Sequence, residues 1–74
     1  MAFKALDTVV LARDLPEHDL CRGDLGAIVE VYGPDEFEVE FVTASGRTRA
    51  VVTLKPTDVR AIADTDLVAV RSTK

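Results

Sequence analysis

The sequence is poor in the residues that carry metal, redox and stacking chemistry. It has one cysteine, one histidine, one tyrosine and no tryptophan among its 74 residues. A single cysteine excludes an internal disulfide, which is typical of a reducing compartment. One cysteine and one histidine also fall short of the four ligands that a structural zinc site normally has. We therefore expect neither a metal nor another cofactor.

Long apolar runs and an excess of basic residues are also missing. No stretch approaches the roughly 20 apolar residues that cross a bilayer, and the first residues lack the basic-then-apolar pattern of a secretory leader. We therefore expect a cytoplasmic protein that does not engage a membrane. Thirteen acidic and nine basic residues give a formal net charge of -4, which disfavours general attraction to nucleic-acid phosphates.

The patterning that is present is that of β-strands. Hydrophobic residues make up 47% of the chain, enough for one small globular domain. Residues 36–42 alternate most clearly, with Phe37, Val39 and Phe41 on one face and glutamates on the other, as in a half-exposed antiparallel strand. Residues rich in β-branched side chains or bounded by turns predict four more strands, at 7–12, 25–32, 47–54 and 59–62.

The segments between the strands predict a long first loop, a tight hairpin and one helical turn. Residues 13–23 form a polar loop that Leu15 and Leu20 are predicted to anchor, and Pro16 argues against a helix through it. Thr43–Gly46 is typical of a hairpin turn with glycine at the position of positive φ. Lys55–Asp58 predicts the single helical turn before the last strand.

Both ends of the chain are apolar enough to have a structural role. Phe3 and Leu6 are expected to cover an open end of the barrel. Residues 63–74 include Leu67 and Val70 and form a predicted extension to the barrel of residues 1–62. This tail is expected to add an edge strand, to cover a barrel opening or to engage another chain.

Together these elements predict an all-β fold, and they resemble the SH3-like barrel of about five antiparallel strands. Within that fold, Gly23 to Val31 resembles the glycine-turn-strand core of KOW-type barrels, and it is distantly similar to the barrel of the nitrile hydratase β subunit. A closer resemblance is to a family of short bacterial proteins classed as a domain of unknown function. It is carried by Leu6–Leu11, Asp14–Glu17, Arg22–Gly26, Glu30–Tyr32, Glu38–Phe41 and Thr53–Lys55. The resemblance implies the fold over about residues 5–62 and a dedicated partner encoded nearby, and it implies no catalytic residues.

A catalytic or metal site would have to come from the first loop. The candidate ligands and nucleophile there are Glu17, His18, Asp19 and Cys21. A thiolate nucleophile needs a base and an orienting group, and a barrel this small has an interior filled by side chains. We therefore predict no catalytic, cofactor-binding or metal residues and a protein that is not an enzyme, with His18 exposed and Cys21 part-buried.

Protein binding is the predicted function. Strand edges of an open barrel accept partner strands, and an acidic loop attracts a basic partner. The surface predicted to bind the partner consists of Asp14, Glu17, Asp19, Asp24 and Tyr32. The competing interpretation is that this loop merely closes the barrel. A homo-oligomer formed through the C-terminal tail is a further prediction.

Two alternatives remain open. A KOW-like nucleic-acid-binding protein would use Arg22, Arg47 and Arg49, although the basic residues are dispersed and no tryptophan is available for stacking. We expect Arg47 and Arg49 to pair instead with the glutamates of the neighbouring strand. The second alternative is an accessory protein of a metalloenzyme, which rests on the nitrile hydratase resemblance alone.

Overall fold

A computed structural model describes residues 3–73 and shows five antiparallel strands in one open sheet. The sheet order is β4-β3-β2-β1-β5. The strands are β1 (Thr8–Leu11), β2 (Leu25–Gly33), β3 (Glu36–Val42), β4 (Thr48–Leu54) and β5 (Val59–Ala61). Within the described residues the only helical segments are two 3-10 turns, and the second, Pro56–Asp58, directly precedes β5. The predicted fold class is confirmed.

The sheet curls around one core to which every strand contributes. The buried cluster contains Val9, Leu11, Leu15, Leu20, Ile28, Phe37, Val39, Phe41, Val52, Leu54 and Val59. The register between β2 and β3 shifts twice, between Ile28 and Glu30 and between Val31 and Gly33. Such irregularities bend a strand and increase its twist, which allows a short sheet to curl around its own side chains.

The two N-terminal residues that were expected to cover the core behave differently. Phe3 packs edge-on against Phe37, with 5.5 Å between the ring centroids, as predicted. The prediction for Leu6 is wrong, because its side chain is 84% exposed. Leu6 has a left-handed backbone (φ 75°) and donates its N–H to the Ile28 carbonyl at 2.7 Å. That hydrogen bond fixes the chain in a turn that leaves the side chain in solvent.

The first loop and the hairpin follow their sequence signals closely. Leu15 and Leu20 form an isolated antiparallel bridge and are both buried, so they anchor the loop as predicted. Pro16 nevertheless begins a 3-10 turn, Pro16–His18, because the first position of a helix needs no amide hydrogen. Gly46 has a φ of 87° and donates its N–H to the Thr43 carbonyl at 2.9 Å, as expected of the hairpin turn.

Neither 3-10 turn within residues 3–73 has the length and apolarity of a membrane-spanning helix. The predicted barrel (1–62) and extension (63–74) include Met1, Ala2 and Lys74, which lie outside the described residues.

Gly26 occupies a place in β2 where the inner wall leaves no room for a side chain. A Cβ atom there would lie 2.6 Å from Val39 Cγ1 and 2.8 Å from Phe41 Cε1. We expect Gly26→Val to lower the free energy of unfolding by about 1–3 kcal/mol, the usual cost of overpacking. Urea denaturation measures this, with Gly33→Val as the control, because a Cβ at Gly33 meets no heavy atom within 4 Å. Equal losses in the two variants would contradict the packing described.

Candidate protein-binding surface

Carboxylates of the first loop hold the loop itself in place. Asp14 Oδ1 accepts a hydrogen bond from the Arg22 backbone N–H at 2.8 Å. Asp19 Oδ2 forms an ion pair with Arg49 Nη2 at 3.2 Å, which ties the loop to β4. Glu17 is exposed and makes no hydrogen bond or ion pair within residues 3–73. These contacts favour the structural interpretation of the loop, in which its acidic residues serve to close the barrel.

Asp24 fastens the C-terminal tail to the barrel. Its carboxylate accepts hydrogen bonds from Arg71 Nε at 2.9 Å and Arg71 Nη2 at 2.6 Å, and Nη2 also donates to the Asp19 carbonyl at 3.0 Å. Hydrogen bonding to Arg71 lowers the pKa of Asp24 below its ordinary value. Nearer the start of the tail, Asp66 accepts hydrogen bonds from both terminal nitrogens of Arg60, at 2.9 and 3.1 Å.

Two Arg–Asp pairs hold the tail against the barrel. Residues 63–73 contain no strand, and the side chains of Leu67 and Val70 are 96% and 95% exposed. Of the three roles expected of the tail, the edge strand is not formed within residues 63–73. The division into a barrel and an extension, and association through the tail, stay predictions.

Arg71→Gln is expected to release the tail without unfolding the barrel. The heteronuclear NOE of residues 67–72 should fall at neutral pH, while the NOE of β1 to β5 should not change. In the wild-type protein the same release should occur on acidification. The folded-state pKa of Asp24 is lowered. The stabilisation of the docked tail by the Asp24 carboxylate is therefore present above the unfolded pKa of about 3.9, and it is lost as the pH falls through the folded pKa. Arg22→Gln is the matched control, and unchanged tail dynamics in Arg71→Gln would contradict the fastening role.

A second group of carboxylates lies on the outer side of β2 and β3. We call Glu30, Glu36, Glu38 and Glu40, with Tyr32 among them, the acidic face. The register places Glu30 directly opposite Glu38, where Cβ atoms of paired residues are about 4.5–5.5 Å apart and like charges destabilise the sheet. Within residues 3–73, none of these four glutamates forms an ion pair.

The expected cross-strand pairing of these glutamates with arginines is wrong. The β4 residues opposite Glu38 and Glu40 are Thr53 and Val51. A register shift between Phe41 and Val42 places Arg49 at an irregular position, and its side chain turns to Asp19 instead. Arg47 precedes β4 and lies in the hairpin turn.

Tyr32 belongs to the acidic face and not to the first loop. Its hydroxyl donates a hydrogen bond to Glu38 Oε1 at 3.1 Å, and its side chain is 55% exposed. Asp24 directly precedes β2 and Tyr32 is its second-to-last residue, so nearly the whole strand lies between them. The predicted surface is therefore divided. Asp14, Glu17, Asp19 and Asp24 lie in or beside the first loop, and Tyr32 lies on the acidic face.

The pKa of Tyr32 reports the charge of the acidic face. The hydrogen bond to Glu38 raises this pKa first, and partial burial and the charges of Glu38, Glu30 and Glu36 raise it further. Tyr32 is the only tyrosine and the chain has no tryptophan, so near-ultraviolet titration of the phenolate follows this residue alone. We expect a pKa above the ordinary value of about 10, and a clear decrease in Glu38→Gln.

Glu36→Gln provides the control for this titration, because the Glu36 charge is the smallest of the named causes. It should lower the pKa of Tyr32 less than Glu38→Gln does. If Tyr32 had the same pKa in the folded wild type as in the urea-unfolded chain, the hydrogen bond to Glu38 would be contradicted.

The arginines proposed for nucleic-acid binding do not form a track with an aromatic residue. Arg49 forms an ion pair with Asp19. Arg22 is exposed in the first loop, and Arg47 is exposed in the hairpin turn. Arg47 lies beyond the end of β3 and Tyr32 before its start, about 20 Å apart along the strand. A nucleotide base stacked on Tyr32 would therefore lie far from Arg47.

The residues considered for metal or thiol chemistry are not gathered into a metal site within residues 3–73. Among the described residues, no three His, Cys, Asp or Glu side chains are grouped as a metal site would require. Cys21 is exposed and His18 is half-buried, the reverse of the interpretation made from the sequence. Two open crevices of about 430 and 570 Å³ run along the tail, and Cys21 borders the smaller one.

The acidic face was missed as a site because its glutamates were assigned arginine partners. The alternation of Glu36, Glu38 and Glu40 correctly places these three on one outer face. The juxtaposition of Glu30 with Glu38 depends on the register shift at Val29, which local spacing does not reveal.

Comparison with known proteins gives a family and no function. A family model described as a domain of unknown function (DUF4926) matches residues 5–61, a range that includes all five strands and ends before the tail. No curated protein and no solved structure matches the chain, so the expected similarity to the nitrile hydratase β subunit is not shown. The chain belongs to the DUF4926 family, a family of domains whose function is unknown.

Proposed function

We propose that the protein is a non-enzymatic interaction module of the cytoplasm, and that its acidic face binds a basic segment of a partner protein. The observation that carries this proposal is the direct opposition of Glu30 and Glu38 across β2 and β3, with no ion pair to either within residues 3–73. Opposed like charges cost a folded domain up to about 1 kcal/mol. A lysine or arginine of a partner would turn this cost into attraction.

The acidic face also offers contacts other than charge. Tyr32 is 55% exposed and Val51, opposite Glu40 on β4, is 47% exposed. Tyrosine is enriched among the residues that dominate interface energies, and its ring attracts lysine and arginine cations. A basic extended segment therefore has both an electrostatic and an apolar reason to bind on this side of the sheet.

The two alternative functions have less support. Phosphates would be repelled by the acidic face, and the three candidate arginines lie in a loop, a turn and a strand. A role beside a metalloenzyme rests on the nitrile hydratase resemblance alone, and that similarity is not shown. Cytoplasmic residence is proposed because the exposed, unpaired Cys21 suits a reducing compartment.

Amide chemical shifts test the proposal residue by residue. The labelled protein would be titrated with a lysine-rich decapeptide and, separately, with a single-stranded DNA decamer. We expect the peptide to shift the amides of residues 30–40 and of Thr53, with little change in residues 13–24, and we expect the DNA to shift none. Peptide shifts confined to residues 13–24, or DNA shifts at Arg22, Arg47 and Arg49, would overturn the assignment of the face.

A further inference from the structure

The outer edge of β4 is an unpaired strand edge. β4 is the first strand in the sheet order and pairs only with β3. Within residues 3–73, no backbone hydrogen bond joins the other side of β4 to a strand or loop. Alternate residues of a strand direct their N–H and C=O groups to each side, so β4 offers a row of free donors and acceptors. Such a row is a template for another strand.

This edge lacks the protections that the opposite edge of the sheet has. β5 is only three residues long, and the Arg60–Asp66 ion pair lies beside it. Shortness and charge are two ways in which proteins block edge pairing. β4 has seven residues, TRAVVTL, without proline or an acidic residue, and its one charge, Arg49, is engaged by Asp19.

We propose that β4 pairs antiparallel with β4 of a second copy of the chain. The regular part of the strand is Ala50–Leu54, because the register is irregular beside Arg49. Centring the two-fold axis on Val52 pairs all five of these residues and places Val51 opposite Thr53 of the partner. The faces match, since Val52 and Leu54 are buried and Val51 and Thr53 are exposed. No residue of Ala50–Leu54 is charged, so no like charges meet at the seam.

The net charge of the chain does not prevent this pairing. Glu40 lies opposite Val51, and Glu38 lies opposite Thr53, so the nearest acidic-face carboxylates of two copies are three strand spacings apart. That separation is about 14 Å, which exceeds the Debye length of about 8 Å at physiological salt. The dimer would have a continuous ten-stranded sheet that joins the two acidic faces. This inference rests on the free backbone edge of β4 and not on the charge of the acidic face.

Sedimentation equilibrium of the full chain tests the association. One strand pair is a small interface, and small interfaces give weak, transient complexes. We therefore expect the chain to pass from monomer to dimer between protein concentrations of about 10 and 500 µM, as a weak interface would. Val51→Lys should remove the dimer, because lysine blocks an edge strand. Val29→Lys is the matched control, since Val29 is exposed to a similar degree on β2, and it should leave the dimer intact.

Disulfide trapping tests the register. In a Cys21→Ser background, an oxidised mixture of Val51→Cys and Thr53→Cys chains should give the mixed dimer, whereas each variant alone should give little. Circular dichroism confirms that each variant is folded. The proposal would be overturned if the wild type stayed monomeric throughout the concentration range or formed oligomers larger than the dimer. It would also be overturned if Val51→Cys alone were trapped as a dimer. The same holds if Leu67→Lys removed the dimer and Val51→Lys kept it.

Discussion

Replacing Phe37 with alanine is expected to leave the domain largely unfolded at room temperature. Phe37 is 2% exposed, lies opposite Leu54 and Val31 in the sheet, and forms a T-shaped ring contact with Phe3. Truncating a buried phenylalanine costs about 3–5 kcal/mol. A single core in a domain of this size supplies about 3–5 kcal/mol of net stability, so the loss consumes the whole margin. Urea denaturation followed by circular dichroism measures the effect.

Phe3→Ala is the control for this experiment, because it removes the same ring from a half-buried position on the outside of the core. It should lower the free energy of unfolding by clearly less than Phe37→Ala does, and the domain should stay folded. A Phe37→Ala variant within about 1 kcal/mol of the wild type, far below the usual cost, would show that Phe37 is not the centre of the core.

Glu30→Gln is expected to change stability and binding in opposite directions. Removing one of two opposed carboxylates should raise the free energy of unfolding by about 0.2–1 kcal/mol, the range for cross-strand pairs. The same substitution should weaken binding of the lysine-rich decapeptide about tenfold, or about 1.4 kcal/mol, and reduce the dependence of that binding on salt. Urea denaturation and isothermal titration at two salt concentrations measure the two effects.

Glu17→Gln changes the net charge equally but lies in the first loop, where Glu17 is exposed and makes no ion pair within residues 3–73. It should alter neither stability nor peptide affinity appreciably. If Glu17→Gln weakens the peptide as much as Glu30→Gln does, binding follows net charge and the acidic face is not a site. If Glu30→Gln destabilises the domain, the opposed carboxylates are not in repulsion.

Local sequence patterns predicted the parts of the fold that local chemistry determines. The alternation in residues 36–42 placed Phe37, Val39 and Phe41 in the core, and Gly46 marked the turn that follows. Leu15 and Leu20 were the only apolar residues of their size in a polar loop, and both are buried. Each of these outcomes depends on side-chain period or backbone freedom within a few residues.

Contacts between distant residues were not predictable in this way. Arg49 was expected to face the glutamates of β3, but it reaches Asp19, 30 residues away in sequence. Arg71 binds Asp24 across 47 residues, so an apolar tail is fastened by its charged residues. The register shifts in β2 and between β3 and β4 change which side chains are neighbours, and they depend on how whole strands pair across the sheet.

The residues of the predicted binding surface are divided between two parts of the fold for the same reason, and their role in binding stays a prediction. The acidic residues of the first loop are close in sequence, and that closeness suggested a patch. In the folded chain, Asp14 and Asp24 are satisfied by backbone and arginine donors. Glu30 and Glu38 are distant enough in sequence to escape notice, and only the sheet brings them together.

Affinity capture from a lysate of the native cells, after nuclease treatment, tests the central claim most directly. Wild-type protein, Glu30→Lys and Glu17→Lys would be immobilised in equal amounts, and the retained proteins identified by mass spectrometry. The proposed function predicts one protein retained stoichiometrically by the wild type and by Glu17→Lys, and lost from Glu30→Lys. Equal retention of that protein by Glu30→Lys, or a retained set that disappears with nuclease, would contradict it.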